Sequence, residues 1–201
     1  MDTNKFSRVV PRPFGFANWV TTLRALGAIA LLAVALDAAF TALEVGVGGR
    51  WAAVALALVL LALDGVDGLL ARRFDQASTF GARFDMETDA LLGLALALLV
   101  WALGQAGAWV LLLGLARYIF ILGGWLWPAL TAPLPYSKRR QAICVIQISV
   151  LTVALVPPVT TLWSTVICLA GLVLLGYSFG SDVLWLLSRR VTENEAIVER
   201  P

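Results

Sequence analysis

The chain has no histidine, only two cysteines, and charged residues amount to just 14% of its 201 positions. Each shortage removes a class of chemistry. Without histidine there is no zinc site of the Cys and His type, and no Ser/His or Cys/His nucleophile pair. Cys144 and Cys168 both fall inside apolar runs, where a thiol is a small buried hydrophobe. A formal net charge of +2 is too small to suggest a nucleic-acid partner. No internal repeat or low-complexity linker divides the sequence, which therefore reads as one domain. The chemistry left open runs on carboxylates, arginine, lysine and oxygen-ligated cations such as Mg²⁺ or Mn²⁺.

What is abundant is apolar surface: 60% of residues are hydrophobic and the mean hydropathy is +0.87. That composition belongs to an integral membrane protein. A span needs about 20 apolar residues. Such runs are approximately Trp19 to Ala42, Trp51 to Ala71, Phe84 to Leu103, Ala108 to Trp127, Ala142 to Val156 and Thr160 to Leu187. The expected fold is all-α, a polytopic membrane protein with about six transmembrane helices. The fifth run stops at Pro157 and Pro158, and the sixth has room to tilt or break near Gly176 and Gly180, whose spacing suits close helix packing. Residues 1–17 read as a cytoplasmic or interfacial segment, 18–188 as the membrane domain and 189–201 as a cytoplasmic tail. The basic start before Ala25 to Ala35 is read as the approach to the first span rather than a signal peptide.

With both termini inside, every basic residue except Arg50, in an outer loop, and Arg117, within the fourth run, falls on the cytoplasmic side. The positive-inside rule then puts the stretch from Asp64 to Asp89 at the inner ends of the second and third spans.

That stretch, DGVDGLLARRFDQASTFGARFDMETD, sets acids within or beside apolar runs, where charges are expensive and functional by default. Asp64 and Asp67 are three apart and Asp85 and Asp89 four apart, so each pair shares one face of its helix. Two such pairs facing each other form a four-carboxylate cup, unstable without cations. At a rise of about 1.5 Å per residue, Asp64 lies roughly 12 Å deeper than Arg72. The cup would therefore open to the cytosol from below the headgroups.

The full pattern is D-x2-D-G-x2-A-R-x8-G-x3-D-x3-D, filled by Asp64, Asp67, Gly68, Ala71, Arg72, Gly81, Asp85 and Asp89. It resembles, without gap or substitution, the signature of the CDP-alcohol phosphatidyltransferase family. The resemblance implies transfer of a phosphatidyl group from CDP-diacylglycerol to an alcohol with release of CMP, in phospholipid biosynthesis. It implies a two-metal site of Mg²⁺ or Mn²⁺ on Asp64, Asp67, Asp85 and Asp89, with Asp89 as ligand or general base. It also implies a homodimer. Gly68, Ala71, Arg72 and Gly81 would serve the CDP-lipid, the small residues keeping the helix faces beside the acids free of bulk. Asn18, Thr21 and Arg24 recur every three residues before the first span and resemble a second, weaker family feature directed at the nucleotide or diphosphate. Asn18 as a helix cap and Arg24 as a snorkelling anchor account equally for two of those three.

Outside the signature, Asp75 and Glu87 read as solvated or interfacial charges. Arg117, in mid-span, must face protein, water or an anion. Lys138, Arg139 and Arg140 are accounted for by topology alone, but with Arg117 they could bind a phosphate on the acceptor. The acceptor is then a phosphorylated polyol such as glycerol-3-phosphate. Inositol phosphate, serine and phosphatidylglycerol are the alternatives. Two other classes compete: an Asp-rich intramembrane prenyltransferase, whose acidic motifs usually lie far apart in the chain, and an ion-coupled transporter, which gives no reason for the Gly, Ala and Arg offsets. The expected setting is a bacterial inner or cell membrane with the site facing the cytoplasm.

Overall fold

The computed structural model describes residues 16–41, 44–73, 79–126 and 138–198. The described chain is helical throughout. In order come α1 (Phe16–Phe40), α2 (Val47–Arg73), α3 (Thr79–Ala102), a short 3-10 turn (Ala108–Val110), α4 (Leu111–Leu126), α5 (Lys138–Ala154) and α6 (Thr161–Val198). Four stretches are long and apolar enough to cross a membrane: Trp19–Phe40, Val47–Gly65, Ala108–Leu126 and Thr161–Ser181. The apolar part of α5, Gln141–Ala154, is shorter, and the first turns of α3 carry Arg83, Asp85, Glu87 and Asp89.

The bundle is organised around α3. Ala95, Leu96, Ala97, Leu99 and Val100 are all 0% exposed, so more than half of the circumference of this helix is enclosed, while Leu91, Leu94, Leu98 and Trp101 on the remaining face are half-buried. It packs against α1, α4 and α5. On α1 the buried positions Thr21, Arg24, Ala28, Leu31, Ala35 and Ala38 recur at steps of three and four, a single helical stripe. The alanines in it let two helices lie close. Arg24 therefore belongs to the packed face of α1, and the packing that seats the apolar part of the stripe also fixes where its guanidinium goes.

The α3–α4 contact is closer still. A Cβ built on Gly114 would lie 2.7 Å from the Leu94 Cα and 3.1 Å from the Gly93 carbonyl oxygen, so the two backbones touch with no side chain between them. Across this junction Gln147 of α5 donates from Nε2 to the Leu113 carbonyl at 2.7 Å. Gly93 leaves the room for that amide, since an added Cβ would lie 3.0 Å from the same nitrogen.

The opposite end of the bundle is pinned by backbone capping. Gly104, at φ +65°, ends α3. Its amide donates to Trp101 O and that of Gln105 to Val100 O, the paired bonds of a Schellman motif. Only glycine takes that φ without strain. Arg50 of α2 donates from Nε to Leu155 O at 3.1 Å, placing a cation at the end of α5 where carbonyls and helix dipole favour it. Ser164 of α6, fully buried, donates to Ala154 O at 3.1 Å and so ties α6 to the same corner.

Two expectations about α6 change. It runs unbroken through Gly176 and Gly180 for 38 residues. A Cβ at either glycine would meet nothing within 4 Å among the described residues, so the pair makes no close packing contact with them. At about 1.5 Å per residue α6 far exceeds the roughly 30 Å hydrocarbon core. Its charged end, from Arg189 onward, extends past the apolar segment instead of the helix breaking.

Candidate active site

Helix α2 carries Asp64 and Asp67, and α3 carries Asp85 and Asp89. The structure brings Asp64, Asp85 and Asp89 together, each offering a carboxylate oxygen within 4.8 Å of the others. Asp67 lies on α2 one turn beyond Asp64. Its side chain, like those of Asn18, Gly68, Ala71, Arg72, Lys138, Arg139 and Arg140, lies outside the described residues. Asp75 is outside them altogether. Asp89 is 18% exposed and Asp64 21%, whereas Asp85 is 39% exposed, so the cup opens on the Asp85 side.

Arg24 occupies the middle of this cup. It pairs through Nη1 with Asp85, and through Nη2 with Asp89 and with Asp64 at 3.0 Å. The side chain is 1% exposed, which sets aside a snorkelling role. Its Nε is buried and has no hydrogen-bond partner among the described residues. Thr21, one turn earlier on the same stripe, is also buried, and Gly81 is half-buried one turn before Asp85. Asn18 lies inside α1, two residues after its first, rather than at a cap.

The third wall is α5. Cys144, half-buried, has its Sγ 3.9 Å from Asp89 Oδ2. The sequence marked this thiol only as a small hydrophobe, and no spacing could have paired it with an acid 55 positions away. Arg140 precedes Cys144 by four residues, about one turn earlier on α5.

Arg117 is not brought to the cup. It pairs with Glu87, from Nη2 to Oε1 and from Nε to Oε2 at 3.2 Å, with Met86 Sδ against its Nη1. The reason is helical phase. Glu87 follows Asp85 by two residues, a rotation of about 200°, so it points to the side of α3 opposite the acids. That side is where α4 packs. Glu87 is thus one half of an interhelical ion pair rather than an isolated solvated charge, and the period-two offset from the acidic face was the signal available for it.

The donor set fits a hard divalent cation. Three converging carboxylates supply oxygen ligands only, and one guanidinium leaves them with excess negative charge. An all-helical bundle with apolar helices long enough to cross a membrane and an oxygen-donor acidic cup, walled by α1, α2, α3 and α5, defines the class: a membrane protein with a carboxylate cluster that could hold a metal ion. Comparison with known families gives the particular one. The model of the CDP-alcohol phosphatidyltransferase family matches residues 14–177, from before α1 into α6, and the chain belongs to this family. It is accordingly a transferase of substituted phosphate groups, acting on a CDP-alcohol in phospholipid head-group transfer. Neither the curated proteins nor the solved structures gave a match.

Proposed function

We propose that the protein transfers a phosphatidyl group from CDP-diacylglycerol to a phosphorylated polyol, with glycerol-3-phosphate the first candidate, releasing CMP. The observation that carries this reading is the convergence of Asp64, Asp85 and Asp89 inside the stretch that the family model covers. Asp64, Asp67, Asp85 and Asp89 would hold two divalent cations, Mg²⁺ or Mn²⁺. When bound, such cations neutralise the diphosphate and polarise its phosphorus.

The chain's own residues do the rest. Asp89, set between α3 and α5 beside two other carboxylates, takes the proton from the acceptor hydroxyl as that oxygen attacks phosphorus. Asp64 and Asp67 on α2 hold the CDP side of the cup. Asn18, Thr21, Arg24, Gly68, Ala71, Arg72 and Gly81 surround the CDP-lipid, with the small residues admitting it close to the helix backbones. The acceptor phosphate is received by the first turn of α5, with Lys138, Arg139 and Arg140. Arg117 contributes to the α3–α4 contact instead.

All six helices cross the membrane in this reading. Helix α3 packs against α1, α4 and α5, which supports its crossing despite its charges, because Asp85 and Asp89 face the cup and Glu87 is paired with Arg117. Both termini and the cup then face the cytoplasm of a bacterial cell membrane, and the protein works as a homodimer. The test is CMP release by purified protein in detergent, with CDP-diacylglycerol and Mg²⁺ or Mn²⁺, against glycerol-3-phosphate, inositol phosphate, inositol, serine and phosphatidylglycerol. Release driven by glycerol-3-phosphate supports the proposal. Release driven by serine or inositol alone would refute a phosphorylated acceptor while leaving the class of reaction intact.

A further inference from the structure

Arg24 holds the place that a cation bound to the cup would need. Its two Nη atoms contact Asp64, Asp85 and Asp89, the same three residues whose carboxylates converge as a ligand set. One guanidinium cannot neutralise three carboxylates, so the cup with Arg24 in it remains short of positive charge. The arginine is also poorly accommodated. At 1% exposure it has a buried Nε without a partner among the described residues, although a buried N–H left unpaired is costly. Electrostatic attraction draws the Nη edge in at the expense of Nε. A group seated in this way gives up its place to a cation of higher charge density.

We propose that Arg24 is a displaceable internal counter-cation. It holds the three carboxylates together while the cup has no divalent cation and leaves the cup when one binds. The inference rests on the metal-site reading above and extends it. Assembly of the site becomes an exchange of one internal positive charge for external ones. The released guanidinium, with all its donors free, is then available to the diphosphate that enters with the metal. A fixed structural arginine behaves in the opposite way, because its loss would loosen the cup and weaken metal binding.

The experiment titrates full-length protein in detergent with Mn²⁺ and follows free Mn²⁺ by electron paramagnetic resonance. Arg24→Gln is expected to bind Mn²⁺ about tenfold more tightly than the parent, the equivalent of about one charge-assisted hydrogen bond no longer broken on binding. Arg24→Lys, which keeps the charge but reaches fewer carboxylates, is expected to fall between them. Equal or weaker binding by Arg24→Gln overturns the proposal while leaving the metal site standing. Failure of the parent to bind Mn²⁺ at all overturns both. Should Arg24→Gln not fold, the parent itself decides. Phenylglyoxal modification at Arg24, located by mass spectrometry, should rise severalfold when Mn²⁺ is added without substrate, and unchanged or reduced modification refutes displacement.

Discussion

Replacing Asp89 by asparagine removes one negative charge from the cup and almost nothing from its shape. In the metal-free protein two effects oppose each other. Asp89 lies within 4.8 Å of the carboxylates of Asp64 and Asp85. With an effective dielectric of about 20, each repulsion is worth roughly 3 to 4 kcal/mol, and the attraction to Arg24 about 4 kcal/mol. Asp85 is 39% exposed, so solvent weakens its share further. The two repulsions together, roughly 6 to 8 kcal/mol, exceed the attraction by about 2 to 4 kcal/mol before screening and by less after it, so Asp89→Asn should unfold at or slightly above the parental midpoint. Catalysis has no such compensation. An amide cannot accept the acceptor's proton, and loss of a general base costs about 10² to 10⁴ in rate. Thermal unfolding in detergent, CDP-lipid binding and CMP release should therefore part company: near-parental unfolding, much of the binding retained, turnover reduced by at least about a hundredfold. Turnover above about a tenth of the parent would refute the base assignment. Loss of metal binding as severe as in Asp64→Asn or Asp67→Asn would make Asp89 a ligand without a separate role.

Arg117→Gln and Glu87→Gln should lower stability alike, by about 1 kcal/mol or less as expected for a partly exposed pair, while the acceptor KM stays at the parental value. Arg140→Gln should raise that KM, and steady-state kinetics with glycerol-3-phosphate separates the two classes. Gly114→Ala forces a Cβ to within 2.7 Å of a backbone atom of α3 and should cost about 1 to 3 kcal/mol in thermal unfolding. An unchanged unfolding midpoint would mean that the α3–α4 approach is looser than described. Chelation should abolish CMP release, with recovery on adding Mg²⁺ or Mn²⁺. Activity that persists after exhaustive chelation would remove the metal from the reaction.

The sequence by itself determined the family and the helical class and marked Asp64, Asp85 and Asp89 as acids that could meet, because each depends on short-range spacing. Acids three or four residues apart share a helix face wherever the helix ends up, and eight residues at fixed offsets carry a family signature before any packing is known. Its apolar runs likewise located the helices, apart from the end of α6, which continues past Leu187 to Val198, since a run of that length in so apolar a chain has no other stable conformation in a membrane.

Only the tertiary structure decided which charges meet. Arg24 lies 40 residues before Asp64 and 61 before Asp85, and what carries it into the cup is the packed stripe of α1 against α3. Arg117 looked like a lone cation in mid-span, yet the phase of α3 gives it Glu87 and turns both away from the acids. Cys144 and Gln147 take their partners from other helices, and Gly176 and Gly180 meet none of the described residues. Spacing along a helix says which residues share a face, but which face meets which neighbour is fixed only when all the helices pack at once.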